Sequence, residues 1–168
     1  ALGTLAVGLL NLSPPEGDLA MAATAATFRG AAWASVNDTV MGGRSSATLS
    51  WTSQDHLAWS GNLSLENNCG FVSIRAQDWW TAPSALDGVE VIIDGAGRDI
   101  QVSVQRQDMT IRAGGYRAMV PTAREGDTHV FIPWAAFKPK RFGRPFTAPP
   151  LTKGAQSVGQ WGLLIADK

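Results

Sequence analysis

Alternation of hydrophobic and polar residues with a period of two dominates the chain from residue 28 onward. The clearest case is His56–Glu66, in which Leu57, Trp59, Leu63 and Leu65 share one parity. Such alternation is typical of a β-strand with one buried face. Eight segments are predicted as strands in this way: Ser46–Thr52, His56–Glu66, Gly70–Ala76, Leu86–Asp94, Asp99–Gln107, Tyr116–Val120, Thr128–Trp134 and Gly159–Ala166.

Polar, glycine-containing turns separate these segments, and no long amphipathic helical pattern lies between them. Short strands at regular spacing without intervening helices predict an all-β fold, a β-sandwich of jelly-roll type over residues 28–168. Residues 137–156 contain four prolines among basic residues and are predicted to form a long irregular loop. Loops of that length in a compact domain are usually functional.

Residues 1–27 have a different texture, with an apolar run at Leu2–Leu12 followed by two prolines. The run has about 11 residues, whereas a transmembrane helix needs roughly 20. Ala20, Met21 and Ala22 have the small-x-small form of a signal-peptidase site. The sequence therefore predicts an irregular apolar N-terminal tail or leader remnant, held by a partner chain or a membrane surface.

Charge and composition restrict the function of the 168 residues. Lysine plus arginine and aspartate plus glutamate number 14 each, so the chain lacks the basic excess of a nucleic-acid-binding protein. A single cysteine, Cys69, excludes an intrachain disulfide and a multi-thiolate metal site. Hydrophobic residues make up 45% and charged residues 17%, which is typical of a packed globular protein.

Catalytic signatures are missing from the sequence. His56 and His129 are the only histidines, and no nucleophile motif or zinc-ligand spacing accompanies them. We therefore expect no catalytic residue, no metal and no cofactor. Asp38 has two interpretations: it contributes to a structural calcium site, or it fixes a turn together with Asn37. A carboxylate pair of the glycosidase kind cannot be established from sequence spacing.

Seven tryptophans stand against one tyrosine, which is an unusual ratio. They either fill the core and rim of the sandwich, or some of them form a ligand-binding surface. The second interpretation predicts a carbohydrate-binding module that stacks a glycan on exposed indoles. The candidates for that role are Trp59, Trp79 and Trp80.

Several motifs resemble one known family. "WASVNDTVMGGRSSATL", which begins at Trp33, resembles the opening motif of the complex I intermediate-associated protein 30 family. The stretches "WSGNLSLENNCGFVSIR" (Trp59–Arg75), "IPWAAFKPKRFGRP" (Ile132–Pro145) and "GLLIADK" (Gly162–Lys168) are similar to its later elements, in the same order. The family normally adds a final strand after the last of these, so that strand is expected to be missing here or supplied by a neighbour.

The resemblance implies a galactose-binding-like jelly roll without agreed catalytic residues. It implies an assembly factor or accessory subunit that binds protein subunits of a membrane-embedded electron-transfer complex, respiratory complex I or a photosystem. The location implied is membrane-peripheral in a mitochondrion or the thylakoid lumen of a chloroplast, with the bacterial periplasm as an alternative. We expect partner contacts at the opening motif and at basic positions downstream: Trp33, Asn37, Asp38, Met41, Gly42, Gly43, Arg44, Arg75, Lys140, Arg141 and Arg144.

Overall fold

Twelve strands account for most of the residues that the structure describes. A computed structural model of the chain describes residues 32–52, 57–66, 70–79, 87–151 and 158–166, and the backbone of 5–11. The strands are β1 Leu5–Asn11, β2 Trp33–Asn37, β3 Ser46–Trp51, β4 Leu57–Asn62, β5 Phe71–Ala76, β6 Gly88–Asp94, β7 Asp99–Arg106, β8 Gly115–Pro121, β9 Thr128–Pro133, β10 Lys138–Arg141, β11 Arg144–Pro145 and β12 Val158–Ala166. These ranges contain no α-helix, only short 3₁₀ turns.

The strands form two antiparallel sheets. The five-stranded sheet has the order β3-β4-β1-β6-β9, and the seven-stranded sheet has the order β11-β10-β8-β7-β12-β5-β2. The prediction of an all-β sandwich is confirmed, and each of the eight predicted strands has its counterpart. No helix among the described residues has the length and apolar character needed to cross a membrane.

The core lies between the two sheets and is built from one face of each. In β7, Ile100, Val102 and Val104 are buried while the residues between them are more exposed. The five-stranded sheet contributes Val89, Val91 and Ile93 of β6 from the opposite side, together with other members of the same cluster. This is the period-two burial that the sequence pattern predicts.

An aromatic cluster forms part of this core. The ring centroids of Trp134, Phe137 and Trp161 lie 6.1–6.3 Å from one another. Trp134 begins a 3₁₀ turn after β9, and Trp161 belongs to β12. The cluster connects the loop that leads to β10 with the seven-stranded sheet, and burial of such large side chains is a major source of stability.

Three sequence predictions need correction. The predicted strand His56–Glu66 ends earlier, since β4 stops at Asn62. The predicted irregular loop 137–156 begins with a hairpin of β10 and β11, because Phe142 and Gly143 take positive φ between them. The predicted irregular tail contains β1, which pairs with β4 and β6 of its own chain. The remainder of residues 1–27 lies outside the described residues, and its contact with a partner or membrane stays a prediction.

Candidate functional site

The opening motif is organised around the carboxylate of Asp38. Asp38 begins a 3₁₀ turn directly after β2 and has 0% of its surface exposed. Its Oδ1 accepts a hydrogen bond from the Ser45 backbone N–H at 2.9 Å, and its Oδ2 accepts one from the Ser45 hydroxyl at 2.6 Å. Oδ2 also accepts from the backbone N–H groups of Gly70 at 2.9 Å and Phe71 at 3.3 Å. Both oxygens are thus used to fix two loops.

Hydrogen bonding determines the charge of this buried group. Burial by itself would raise the pKa of Asp38, but the hydrogen bonds from Ser45, Gly70 and Phe71 lower it below its ordinary value. Asp38 is therefore an anion at neutral pH. Its two oxygens accept hydrogen bonds from N–H and O–H donors of its own chain, which is the arrangement expected of a turn-fixing residue.

Glycine is required at positions 42 and 43 of the motif for two different structural reasons. Gly42 ends the 3₁₀ turn with φ of 85°, a left-handed conformation that favours glycine. Gly43 lies directly against Asp38, and a Cβ atom at position 43 would overlap the Asp38 carboxylate. Gly43 therefore permits the close approach that buries the charge, whereas Gly42 permits the bend.

Ser45 connects this loop to the segment after β4. Because its hydroxyl proton goes to Asp38, the Ser45 oxygen accepts a hydrogen bond from the backbone N–H of Ser64 at 3.0 Å. At the surface, an Arg44–Glu66 ion pair of 2.9 Å joins the same two loops. Network and ion pair together hold the two loops side by side.

Each of the two loops presents one large apolar side chain to solvent. Met41 is 61% exposed and Leu65 is 63% exposed. We call Met41, Arg44, Leu65 and Glu66 the loop patch. Methionine and arginine are residue types that are enriched at the centres of protein interfaces.

Trp33 and Asn37 support the motif from β2. Trp33 is partly buried and packs against the core cluster. The Asn37 side chain does not cap the 3₁₀ turn; its Oδ1 accepts a hydrogen bond from the Ser35 hydroxyl at 2.8 Å instead. Both residues are less exposed than Met41.

The remaining predicted contact residues lie elsewhere. Arg75 projects from β5, the neighbour of the edge strand β2, and the basic positions Lys140, Arg141 and Arg144 lie on the β10–β11 hairpin. That hairpin and β2 are opposite edges of the sheet, about 29 Å apart across six strand intervals. The predicted contact residues therefore do not form one continuous surface.

The hairpin has an exposed aromatic at its tip. Phe142 is 77% exposed and has φ of 48°, which is unfavourable for a bulky side chain. Arg141 lies over the ring of Phe146 at 5.7 Å, so this cation is partly held by its own chain.

The tryptophans are divided between core and surface. Trp59, Trp134 and Trp161 are buried, so Trp59 is wrong as a candidate for glycan stacking. Trp79 is 52% exposed, and its ring lies against Gly159 of β12. Trp80 lies outside the described residues. Within the described ranges, no cluster of three histidine, cysteine or acidic side chains could hold a metal ion.

Sequence reasoning missed Ser45, Leu65 and Glu66. Ser45 stands inside the motif, and its position just before an alternating strand was the available signal. The alternating pattern predicts Leu65 on the buried face of a longer strand. Because β4 ends at Asn62, Leu65 lies instead on the surface.

Fold and site together define an antiparallel β-sandwich domain in which one buried carboxylate positions two surface loops. The chain belongs to the Complex I intermediate-associated protein 30 (CIA30) family, whose model matches residues 23–168. No individual curated protein matches the chain. The matched range includes the Asp38 network and the loop patch. Family membership indicates, at a coarse level, a role with protein partners in complex I assembly.

Proposed function

We propose that this chain is a non-catalytic domain that binds protein subunits of a membrane-embedded electron-transfer complex, as an assembly factor or accessory subunit. The loop patch is its contact surface. The observation that carries the proposal is the exposure of Met41 and Leu65 on loops that the Asp38 network holds in place. Loops fixed in advance lose little conformational entropy on binding.

The proposal assigns different roles to the predicted motif residues. Asp38, Gly42 and Gly43 are positioning residues, since their groups are used within the chain. Met41 and Arg44 make the contact. We place the protein at the membrane surface of a mitochondrion or thylakoid lumen, and bacterial periplasm is the alternative location.

Affinity capture from detergent-solubilised membranes tests the contact surface. The tagged protein is compared with a variant carrying Met41→Asp and Leu65→Asp, and co-purifying chains are identified by mass spectrometry. We expect the wild type to retain subunits of the complex. The variant should retain at least tenfold less of these subunits, because two apolar contacts become charged.

The matched control carries Trp51→Asp and Phe131→Asp, which are each 40% exposed and lie on the five-stranded sheet. The control is expected to retain the subunits. Capture of no complex subunit by the wild type, or equal loss in both variants, would contradict the proposal.

A further inference from the structure

A row of side chains crosses the outer face of the seven-stranded sheet. Arg75 on β5 lies opposite Gly162 on β12, which lies opposite Ser103 on β7. Ser103 in turn lies opposite Arg117 on β8, and Lys138 of β10 comes next. Residues directly opposite each other share a face of the sheet. The alternating neighbours in β5, β7 and β8 are buried in the core, so this row faces outward.

The two arginines of this row lack a carboxylate partner. Within the described ranges Arg75 forms no ion pair, and Arg117 only donates from Nη1 to Gln101 Oε1 at 3.4 Å. Both side chains are half-buried. By contrast, Arg44 forms an ion pair with Glu66 at 2.9 Å, and Arg106 donates to Asp108 at 2.8 Å. The row therefore contains positive charge that the described chain does not compensate.

The surroundings of the two guanidinium groups are unfavourable for charge. Burial lowers the pKa of Arg75; burial, and then the positive charge of Arg75, lower the pKa of Arg117. The positive charge of Arg75 thus disfavours the positive charge of Arg117. Lys138 adds a third cation at the end of the row, and its ammonium donates to the Ala135 carbonyl at 2.9 Å.

Between the two arginines, the outer face of the sheet carries only small residues, Gly162 and Ser103. Gly162 has no side chain there, and a Cβ atom at position 162 would lie 2.7 Å from Ser103 Oγ and 2.8 Å from the Ile74 carbonyl oxygen. The Ser103 hydroxyl is thereby left as a hydrogen-bonding group between two cations. Guanidinium forks and a hydroxyl are suited to carboxylate oxygens.

We propose that the arginine row, Arg75, Gly162, Ser103 and Arg117, binds an acidic segment of a protein partner, with one carboxylate at each arginine. This inference rests on the proposed protein-binding function. The two arginines are three strand intervals apart, about 14 Å, which matches residues four positions apart in an extended peptide. Guanidinium forks also bind phosphate, but a single phosphate group is too small to reach both arginines at this spacing.

Fluorescence anisotropy with a labelled extended peptide tests the row without any membrane complex. The peptide carries two glutamates four residues apart, and its glutamine counterpart serves as the uncharged probe. We expect the Kd of the wild-type protein for the glutamate peptide to be at least tenfold lower than that of the variant Arg75→Gln with Arg117→Gln. The difference should shrink with added salt.

A variant carrying Arg112→Gln and Arg124→Gln removes the same charge from exposed positions and is expected to change the Kd less than twofold. A cooperative thermal unfolding transition in both variants shows that they are folded. Three results would overturn the inference. They are equal weakening of peptide binding in both variants, no peptide binding by the wild type, and complete competition by inorganic phosphate or phosphatidylglycerol vesicles at a lower concentration than free glutamate. This experiment does not use membrane capture. A negative result would therefore contradict the arginine row without contradicting the proposed contact at the loop patch.

Discussion

Asp38 and the Arg75–Arg117 pair are both charged sites with reduced access to water, but they differ in how the charge is compensated. The Asp38 carboxylate has 0% exposure and accepts four hydrogen bonds from its own chain. The two guanidinium groups are half-buried, and neither forms an ion pair among the described residues. Burial lowers the pKa of both, and the charge of Arg75 further lowers the pKa of Arg117. Burial of a charge costs free energy unless it is paired or hydrogen-bonded.

This difference separates architecture from recognition. A charge that is satisfied by its own chain stabilises the fold, and its removal should cost stability. A charge that is left unsatisfied costs stability in the free protein and is useful only when a partner compensates it. The two regions should therefore respond to neutralisation with opposite signs.

The largest expected effect comes from Asp38→Ala. The change leaves buried N–H groups of Ser45, Gly70 and Phe71 without an acceptor. We expect the free energy of unfolding to fall by about 3–5 kcal/mol, as measured by denaturant titration. Asp127→Ala, at an exposed carboxylate, is the control and should change it by less than about 0.5 kcal/mol. Similar changes in the free energy of unfolding for Asp38→Ala and Asp127→Ala would contradict the conclusion that the Asp38 carboxylate stabilises the fold.

The pH dependence of the same carboxylate gives a second test. Because the pKa of Asp38 is lower in the folded than in the unfolded chain, the unfolded state binds the proton first as pH falls. The stabilisation is present above the unfolded value of 3.8 and is lost as pH falls through the folded pKa. We expect the stability difference between wild type and Asp38→Ala to be constant near neutrality and to narrow below about pH 4. A difference that widens on acidification would show the opposite sign of pKa shift.

Substitution of the two glycines by alanine tests how closely the chain packs on the buried charge. Gly43→Ala places a methyl group on the Asp38 carboxylate and is expected to cost about 1–3 kcal/mol by overpacking. Gly42→Ala meets no atom within 4 Å but holds alanine at φ of 85°, which costs about 1 kcal/mol. Thermal unfolding of both variants ranks them, and a larger loss for Gly42→Ala would contradict the packing argument.

Local alternation predicted the strands well because it reports burial directly. The eight strands predicted from period-two patterns are all present. β2 was missed, although its residues belong to the motif, because its five positions are uniformly half-buried and do not alternate. The β10–β11 hairpin was missed because prolines and lysines on an edge strand carry no apolar pattern.

The assembly of the site could not be read from the sequence. Asp38 finds its donors at Gly70 and Phe71, more than 30 residues away, and only the pairing of β2 with β5 brings them together. Arg117 was not singled out, since its relation to Arg75 depends on the register of four strands. Residue types indicate which groups are special; sheet register determines which of them meet.

The smallest effect, and the one with the opposite sign, is expected at the arginine row. In the absence of an anion, Arg75→Gln with Arg117→Gln should raise the free energy of unfolding by up to about 1 kcal/mol, since a desolvated like-charge pair is removed. Either single substitution relieves the same repulsion, so the double variant should gain less than the sum of the two. Denaturant titrations of the four proteins measure this coupling. A loss of stability in the double variant, or strict additivity, would mean that these charges are already compensated and that the contrast with Asp38 does not hold.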